Sequence, residues 1–234
     1  MIITYKNNCE IVRIQDSYED IRGSYASKKQ EPWWELLDIY PPLKESRSGI
    51  LIDVGGGNGR NLKKCERTLT VSLDITRALL EDYVADENHQ RIEGSLPYLP
   101  FRKCSSEEVT SIAVIHHLRT HERRASAIFE LQRVTEGKLL FTVWRKWRPS
   151  NARKILELIR DGKDPLPFID HERPWKDSSG KILAYRFYHY FSRKELIDIL
   201  QDVDYSIQKM GGKSSVDNYF VEIRSNCWNH SLLN

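Results

Sequence analysis

Residues 53–59 place one carboxylate and three alternating glycines directly after an apolar run. The carboxylate is Asp53, and the glycines are Gly55, Gly57 and Gly59. Glycine lets a turn approach a ligand without a Cβ clash, and a carboxylate at the end of a strand can hold a cationic group. A dinucleotide-binding fingerprint requires a glycine where Arg60 stands, so the pattern disfavours a nicotinamide cofactor. The alternative interpretation is a plain tight turn.

A second carboxylate, Asp74, ends the next apolar run at residues 71–73. In a parallel sheet it lies at the same edge as the glycine turn, where a carboxylate can accept hydrogen bonds from both hydroxyls of a ribose. The D-x-G-x-G-x-G pattern resembles the first motif of class I S-adenosylmethionine (SAM) methyltransferases. This resemblance implies SAM as the cofactor.

Two adjacent histidines follow a third apolar run, in the sequence S-I-A-V-I-H-H-L at residues 111–118. Neighbouring side chains at the end of a strand point to opposite sides. We therefore assign His116 to the cofactor cleft and His117 to the core, where a backbone carbonyl satisfies its ring.

Positive charge concentrates between Arg119 and Lys154, where ten Lys and Arg residues face three Glu residues, a local charge of +7 within a chain of net charge +3. Trp144 and Trp147 are interleaved with these cations. Such a segment suits a phosphate-rich partner, and the alternative is a solvated helix face. The candidate phosphate contacts are Arg119, Arg123, Arg145, Lys146 and Arg148.

The elements that must position these residues alternate between strand and helix, which predicts a doubly wound sheet. The patterns predict strands at 50–54, 69–73, 109–114 and 138–144, and helices near 59–66, 76–84, 120–134 and 192–201. Two further strands are predicted at about 204–210 and 217–224, where they form a C-terminal antiparallel hairpin. In all we expect a sheet of about seven strands.

Two segments lie outside this alternation. Residues 1–48 carry aromatic and aliphatic side chains at helical spacing, which predicts an N-terminal extension of two short helices. Residues 148–190 contain four prolines and many charges, and we interpret them as an insertion that covers the active site at the carboxyl edge of the sheet.

The composition excludes several other classes of protein. The 234 residues, with 40% hydrophobic and 29% charged side chains, indicate one folded domain and exclude a disordered chain. No apolar run approaches the ~18 residues of a membrane span, and the first 15 residues lack the basic stretch and apolar core of a signal peptide. We therefore expect a cytoplasmic protein without membrane contact. The four cysteines form no C-x-x-C pair or Cys/His cluster, so we expect reduced thiols and no metal site.

Several longer motifs resemble the tRNA wobble-uridine methyltransferases that form the methyl ester of 5-carboxymethyluridine, including the methyltransferase domain of the AlkB-homolog tRNA enzyme. The most specific are I-A-V-I-H-H-L at 112–118 and R-F-Y-H-Y-F at 186–191. Others occur in the family's order from residue 18 to 224, among them Tyr18-Glu-Asp-Ile, Pro-Trp at 32–33 and Leu-Pro-Phe at 99–101. The resemblance implies methylation of tRNA and a small zinc-binding activator subunit as partner.

The resemblance and the motifs together assign roles to individual residues. Those expected to bind SAM are Asp53, Gly55, Gly57, Gly59, Asp74, Ser95 and Ile115. Those expected at the reacting groups are His116 as a positioning hydrogen-bond donor, with Lys29 and Arg186 holding substrate phosphate or carboxylate. Those expected to cover the substrate are Trp144, Trp175, Tyr188 and His189.

Two positions depart from the family pattern. Ser95 stands where the family has Asp, so the backbone of Ser95 or the carboxylate of Glu93 must serve the adenine, and Lys29 keeps the charge of the usual Arg without its planar fork. Two other functions therefore stay open from the sequence: a small-molecule methyltransferase, and a noncatalytic tRNA-binding subunit.

Overall fold

A twisted sheet of seven strands forms the centre of the molecule. The computed structural model describes residues 9–40, 43, 48–62, 65–82, 87–145, 156–162, 170–201, 204–210 and 218–224. The strands in these ranges are β1 (Ile50–Val54), β2 (Leu69–Asp74), β3 (His89–Glu93), β4 (Ser106–Ile112), β5 (Thr135–Trp144), β6 (Asp170–Lys176), β7 (Ile182–His189), β8 (Asp204–Met210) and β9 (Asn218–Arg224).

The strand order confirms the predicted fold class. The central sheet runs β3-β2-β1-β4-β5-β9-β8. Strands β1 to β5 pair in parallel, whereas β9 is antiparallel to both β5 and β8. Strands β6 and β7 form a separate antiparallel ribbon within the segment interpreted as an insertion.

The helices are α1 (Cys9–Lys28), α2 (Trp34–Ile39), α3 (Arg77–Glu81), α4 (His121–Val134) and α5 (Arg193–Ile199). Helix α4 begins at Thr120, whose hydroxyl accepts a hydrogen bond from the Arg123 N–H. Its apolar face packs on one side of the sheet through Ala127, Ile128, Leu131 and Val134. Helix α2 packs on the other side, where Leu36 and Leu37 join a second buried cluster.

Local differences from the predicted elements have physical causes. The first N-terminal helix is long, 20 residues. Where a helix is expected at 59–66, the described residues form a 3₁₀ turn, Arg60–Leu62. Strand β3 was not predicted from the sequence. Its residues, His89-Gln-Arg-Ile-Glu93, form a polar edge strand, in which apolar periodicity is weak.

The cysteines differ from expectation at one position. Cys9 and Cys65 are free thiols, but Cys104 is disulfide-bonded, so the expectation of four reduced cysteines is wrong there. Sequence spacing gave no sign of this, because a disulfide depends on Cα positions brought together by the fold. Among the described residues, no helix is both long and apolar enough to cross a membrane.

Candidate active site

A cavity of about 510 Å³ opens at the carboxyl ends of β1, β2 and β4. Residues of α1, β5, β6, β7 and β9 also line it. Open α/β sheets bind ligands at this edge. Of the residues assigned from the sequence, those that line the cavity are Lys29, Gly55, Gly57, Asp74, Ser95, His116, Trp144, Trp175, Arg186 and Tyr188.

The glycine turn after β1 brings bare backbone to the cavity. Gly55 and Gly57 have φ angles of +77° and +55°, in the left-handed region that favours glycine. The Gly55 N–H donates to the Leu73 carbonyl at 2.6 Å, which holds the turn against β2. Among the described atoms, a Cβ at Gly57 would meet nothing nearer than the Tyr25 hydroxyl at 3.8 Å. The turn therefore leaves room for a ligand beside Gly57.

Asp74 presents its carboxylate to the cavity from the end of β2. Its Oδ2 accepts the Gly57 N–H and its Oδ1 accepts the Thr76 N–H, each at 2.9 Å. Burial raises the pKa of the Asp74 carboxyl, and the two backbone donors partly oppose that shift. Each carboxylate oxygen can accept a further hydrogen bond. The carboxylate of Asp74 therefore fits the ribose of SAM. The glycine turn fits the part of SAM that would lie against the bare protein backbone.

Asp53 lies beneath the glycine turn, not on the cavity wall. Its side chain is 4% exposed, and its Oδ1 accepts the Thr110 hydroxyl at 2.7 Å. A Cβ at Gly56 would meet Asp53 Oδ2 at 2.9 Å, which places this oxygen directly against the turn. Burial raises the pKa of the Asp53 carboxyl to about 6, opposed by the Thr110 hydrogen bond.

Stacked rings form one wall of the cavity. The ring centroids of Trp144 and Tyr188 are 4.2 Å apart with 16° between their planes. His116, which is 1% exposed, lies 5.2 Å from the Trp144 ring and 5.3 Å from the Tyr188 ring. This wall is an apolar surface that suits a planar base.

His117 is satisfied as the sequence analysis expected, since its Nδ1 lies 2.8 Å from the Phe187 carbonyl oxygen. Burial lowers the pKa of His117 to about 3, so its ring is neutral at pH 7. It lines the cavity as well.

Cations outnumber anions on the cavity lining. Lys29, Arg60 and Arg186 line it, and Asp74 is the acidic residue among the described lining residues. Burial, followed by the charges of Arg60 and Arg186, lowers the pKa of Lys29. Like charges held this close favour an anionic ligand group.

Arg186 projects from β7 into an aromatic cage. Its Cζ lies 4.5 Å from the centroid of Trp175, 5.2 Å from that of Tyr188 and 5.6 Å from that of Tyr18. Its Nε is buried and makes no hydrogen bond within the part of the chain that the structure describes. A buried donor of this kind can serve a ligand acceptor.

His189 lies outside the cavity, contrary to its expected role in covering the substrate. Its Nδ1 lies 2.5 Å from Asp170 Oδ1 and its Nε2 lies 2.9 Å from Glu195 Oε2. The reason is the alternation of a strand, which sends Arg186 and Tyr188 to one side of β7 and His189 to the other.

Two further residues that the sequence assigned to the cofactor, Ile115 and Gly59, do not line the cavity. Ile115 is 0% exposed and packs in the main core, so any cofactor contact is left to its backbone. Gly59 has a φ of +69° and donates its N–H to the Gly56 carbonyl at 2.9 Å, so it closes the turn.

Several cations of the basic segment form ion pairs within the protein. Arg119 pairs with Glu172, and Arg123 pairs with Glu10. Arg145 lies with its Cζ 5.8 Å from the Tyr219 ring. Lys146 and Arg148 lie outside the described residues. The local charge of +7 therefore overstates the charge that Arg119 and Arg123 can offer a polyanion.

Two residues of α1 that line the cavity are not among the site residues predicted from the sequence. Tyr18 and Tyr25 line the cavity together with Ile14. Their spacing of four and seven residues places them on one helix face, a signal that the sequence analysis used only to predict a helix. Asn218, at the start of β9, also lines the cavity.

Residues 52–141 match the family described as a methyltransferase domain. Over these residues the chain is similar to methyltransferase domains. The chain is 26% identical over 241 residues to the tRNA (carboxymethyluridine(34)-5-O)-methyltransferase of Schizosaccharomyces pombe, covering 97% of this chain and 100% of that protein.

Other relatives are longer proteins. The chain is 33% identical over 144 residues to the tRNA (carboxymethyluridine(34)-5-O)-methyltransferase ALKBH8 of Macaca fascicularis, covering 60% of this chain and 21% of that protein. An Arabidopsis thaliana protein of the corresponding name is 29% identical over 157 residues, 62% of this chain and 38% of its own. The matched regions thus span about a fifth to two fifths of these two relatives. The resemblance stated from the motifs is confirmed.

Solved structures agree on the fold. A chain of the DhpI-SAM-HEP complex superposes with a TM-score of 0.63 at 15% identity, covering 93% of this chain and 99% of that one. A chain of the complex between the Haloferax volcanii Trm112 methyltransferase activator and a methyltransferase gives a TM-score of 0.52 at 11% identity, covering 91% and 97%. The fold class predicted from the sequence is confirmed.

Proposed function

We propose that this methyltransferase transfers the methyl group of SAM to the carboxylate of 5-carboxymethyluridine at the wobble position of tRNA, forming the methyl ester. The observation that carries the proposal is the excess of cations on the cavity lining, where Arg186 holds a buried Nε donor inside an aromatic cage. The full-length similarity to the S. pombe enzyme supports the same acceptor.

In this proposal, different residues of the cavity lining bind the cofactor and the acceptor. Asp74 is placed to accept the ribose hydroxyls of SAM, and the turn around Gly57 leaves space for the cofactor beside it. SAM, when bound, supplies an electrophilic methyl group on its sulfonium. The stacked rings of Trp144 and Tyr188 offer a face for the uracil ring.

The chain's residues mainly orient and hold the acceptor. A carboxylate has a pKa of about 4 and is already ionised at pH 7, so no base is needed to activate it. Arg186 and Lys29 hold the acceptor anion or a neighbouring phosphate. His116, packed against Trp144 and Tyr188, positions the acceptor by donating a hydrogen bond. Most of the acceleration then comes from orientation.

A zinc-binding activator subunit is part of the proposal. The fold is similar to that of a chain in the Haloferax volcanii complex of Trm112 with a methyltransferase. The wobble-uridine family to which the sequence is similar uses an activator of this kind, and we propose the same heterodimer here, acting in the cytoplasm.

The test is nucleoside mass spectrometry on tRNA from a strain that lacks this gene. We expect loss of the methyl ester with accumulation of the free acid, and restoration when the purified chain, its activator and labelled SAM are added to that tRNA. Labelling of small molecules without tRNA would support a small-molecule enzyme. Intact tRNA binding without SAM binding would support a noncatalytic subunit.

A further inference from the structure

Tyr18 on α1 belongs to a hydrogen-bonded chain that ends at Arg186. The Tyr18 hydroxyl lies 2.9 Å from His117 Nε2, and His117 Nδ1 lies 2.8 Å from the Phe187 carbonyl oxygen. Arg186 Nη1 donates to the Tyr18 hydroxyl oxygen at 3.4 Å. These hydrogen bonds thus connect α1, the turn after β4 and strand β7.

The positions of the protons follow from the partners. A backbone carbonyl can only accept, so His117 Nδ1 carries a proton and donates it to Phe187. Because burial keeps the His117 ring neutral, its Nε2 has a lone pair and accepts the Tyr18 O–H. The Tyr18 oxygen then keeps its lone pairs for Arg186, which can only donate.

Arg186 needs a hydrogen-bond acceptor to fix its orientation, because aromatic rings surround its guanidinium group. Trp175 and Tyr188 attract a cation lying over their faces but offer no acceptor in the plane of the guanidinium. Among the described residues, the Tyr18 oxygen is the acceptor that the structure gives Arg186. This contact fixes which of its nitrogens faces the ligand.

We propose that Tyr18 is a positioning residue, which orients Arg186 through its hydroxyl oxygen so that the remaining guanidinium donors meet the acceptor carboxylate. This inference rests on the proposed function, in which Arg186 holds that carboxylate. Tyr18 lies 168 residues away from Arg186 in the sequence. Through Arg186, α1 thus contributes to recognition of the acceptor.

The first experiment compares Tyr18→Phe with Tyr185→Phe, a matched control on β7 whose side chain is 53% exposed. Loss of one hydrogen bond predicts a three- to tenfold higher KM for tRNA bearing 5-carboxymethyluridine, with kcat within about twofold and SAM affinity unchanged. The ratio of the binding affinity for this tRNA to that for the same tRNA with an unmodified wobble uridine should fall by the same factor. A Tyr18→Phe enzyme with unchanged KM and preference would overturn the proposal.

A double-mutant cycle isolates the pathway of the effect. If Tyr18 acts through Arg186, then Tyr18→Phe changes the affinity for the carboxymethylated tRNA by less than about twofold when Arg186→Gln is already present. Equal effects of Tyr18→Phe in both backgrounds would show that Tyr18 acts by another route, and would contradict the proposal.

A measurement on the wild-type chain needs no substrate. Nitrogen-15 chemical shifts of the His117 ring should show a neutral ring protonated at Nδ1 at pH 7. A ring protonated at Nε2 would donate to the Tyr18 oxygen and so reverse this hydrogen bond. That result would overturn the proposed role of Tyr18 even if the enzyme methylates tRNA. If the shifts are as expected but the wild type shows no preference for the carboxymethylated tRNA, the proposed acceptor is wrong. The hydrogen bonds from His117 through Tyr18 to Arg186 would still stand.

Discussion

The Gly57 N–H and the Asp74 carboxylate are hydrogen-bonded at 2.9 Å, which ties the glycine turn after β1 to the carboxyl end of β2. One side chain therefore both fixes the turn and faces the cavity. Because the two strands pair in parallel register from Ile50 with Leu69 to Val54 with Leu73, the sheet delivers both groups to the same place.

Replacing Asp74 should therefore impair cofactor binding more than folding. Hydrogen bonds to a charged group contribute about 1.5–3 kcal/mol each, so we expect Asp74→Asn to weaken SAM binding at least about tenfold and Asp74→Ala about a hundredfold. Calorimetric titration with SAM measures both. Asp82→Asn is the control, since Asp82 pairs with Arg22 on the exposed side of α1. Wild-type affinity in Asp74→Ala would remove the ribose assignment.

The two left-handed glycines of the turn should respond differently to a methyl group. A Cβ at Gly55 would lie 2.2 Å from Val114 Cγ2, whereas a Cβ at Gly57 lies 3.8 Å from its nearest described neighbour, Tyr25. Overpacking costs about 1–3 kcal/mol in addition to the strain of a positive φ. We expect Gly55→Ala to lower the unfolding free energy by more than Gly57→Ala.

For SAM affinity the order of the two glycine variants should reverse, because the Gly57 methyl group enters the ligand's space. Gly57→Asp should abolish SAM binding altogether. Denaturant unfolding and calorimetry on the two alanine variants give both orders, and equal losses of stability would contradict the packing argument.

The buried Asp53 predicts a specific pH dependence of stability. Its pKa is raised from 3.8 to about 6 by burial, so the folded state binds the extra proton between these values and the unfolded state does not. The contribution of Asp53 to stability is therefore lost as pH rises from about 4 to about 6, by about 3 kcal/mol, and is constant above that range. The difference in unfolding free energy between wild type and Asp53→Asn should change by this amount across the same range. A flat difference would mean that Asp53 is ionised in the folded protein at pH 4.

The backbone of the site could be predicted from the sequence because each part is local. The apolar runs before Asp53 and Asp74 are buried parallel strands, whose composition alone marks them. Strand β3 could not be found in this way, because its polar residues carry little periodicity. The alternation of β7 could have excluded His189 from the cavity, since Tyr188 precedes it on the opposite face.

Side-chain partnerships were beyond sequence reasoning, because they join distant segments. Tyr18 and His117 are 99 residues apart, and no spacing rule connects them. The pairing of Arg119 with Glu172 likewise depends on the β6–β7 ribbon, which was predicted only as an irregular insertion.

These ion pairs change the expectation for tRNA binding. Neutralising Arg119 and Arg123 together should lower the slope of log affinity against log salt by less than the ~0.9 per phosphate contact expected for unpaired cations on a duplex. Removing their partners with Glu10→Gln and Glu172→Gln should steepen that slope. Binding measured across a salt series tests both. An unchanged slope in all three variants would mean that Arg119 and Arg123 belong to a solvated surface without contact to tRNA.

His116 should act by position and not as a base. His116 is 1% exposed and its ring packs against the stacked rings of Trp144 and Tyr188, so a smaller side chain would leave this wall of the cavity incomplete. We expect His116→Asn, which keeps a hydrogen-bond donor, to retain measurable activity. His116→Ala should lose activity through kcat, about tenfold to a hundredfold, with unchanged SAM affinity.

The pH dependence of the reaction distinguishes a positioning donor from a base. An acceptor carboxylate with a pKa of about 4 is fully ionised above pH 6, so no proton must leave during methyl transfer and kcat should be nearly flat from pH 6 upward. The neutral His117 beside the acceptor does not titrate in this range, because burial lowers its pKa to about 3. Single-turnover rates across the pH range, in wild type and His116→Asn, provide the measurement. A steep rise through pH 7 that disappears in His116→Asn would show general-base catalysis and would identify a hydroxyl or amine acceptor in place of a carboxylate.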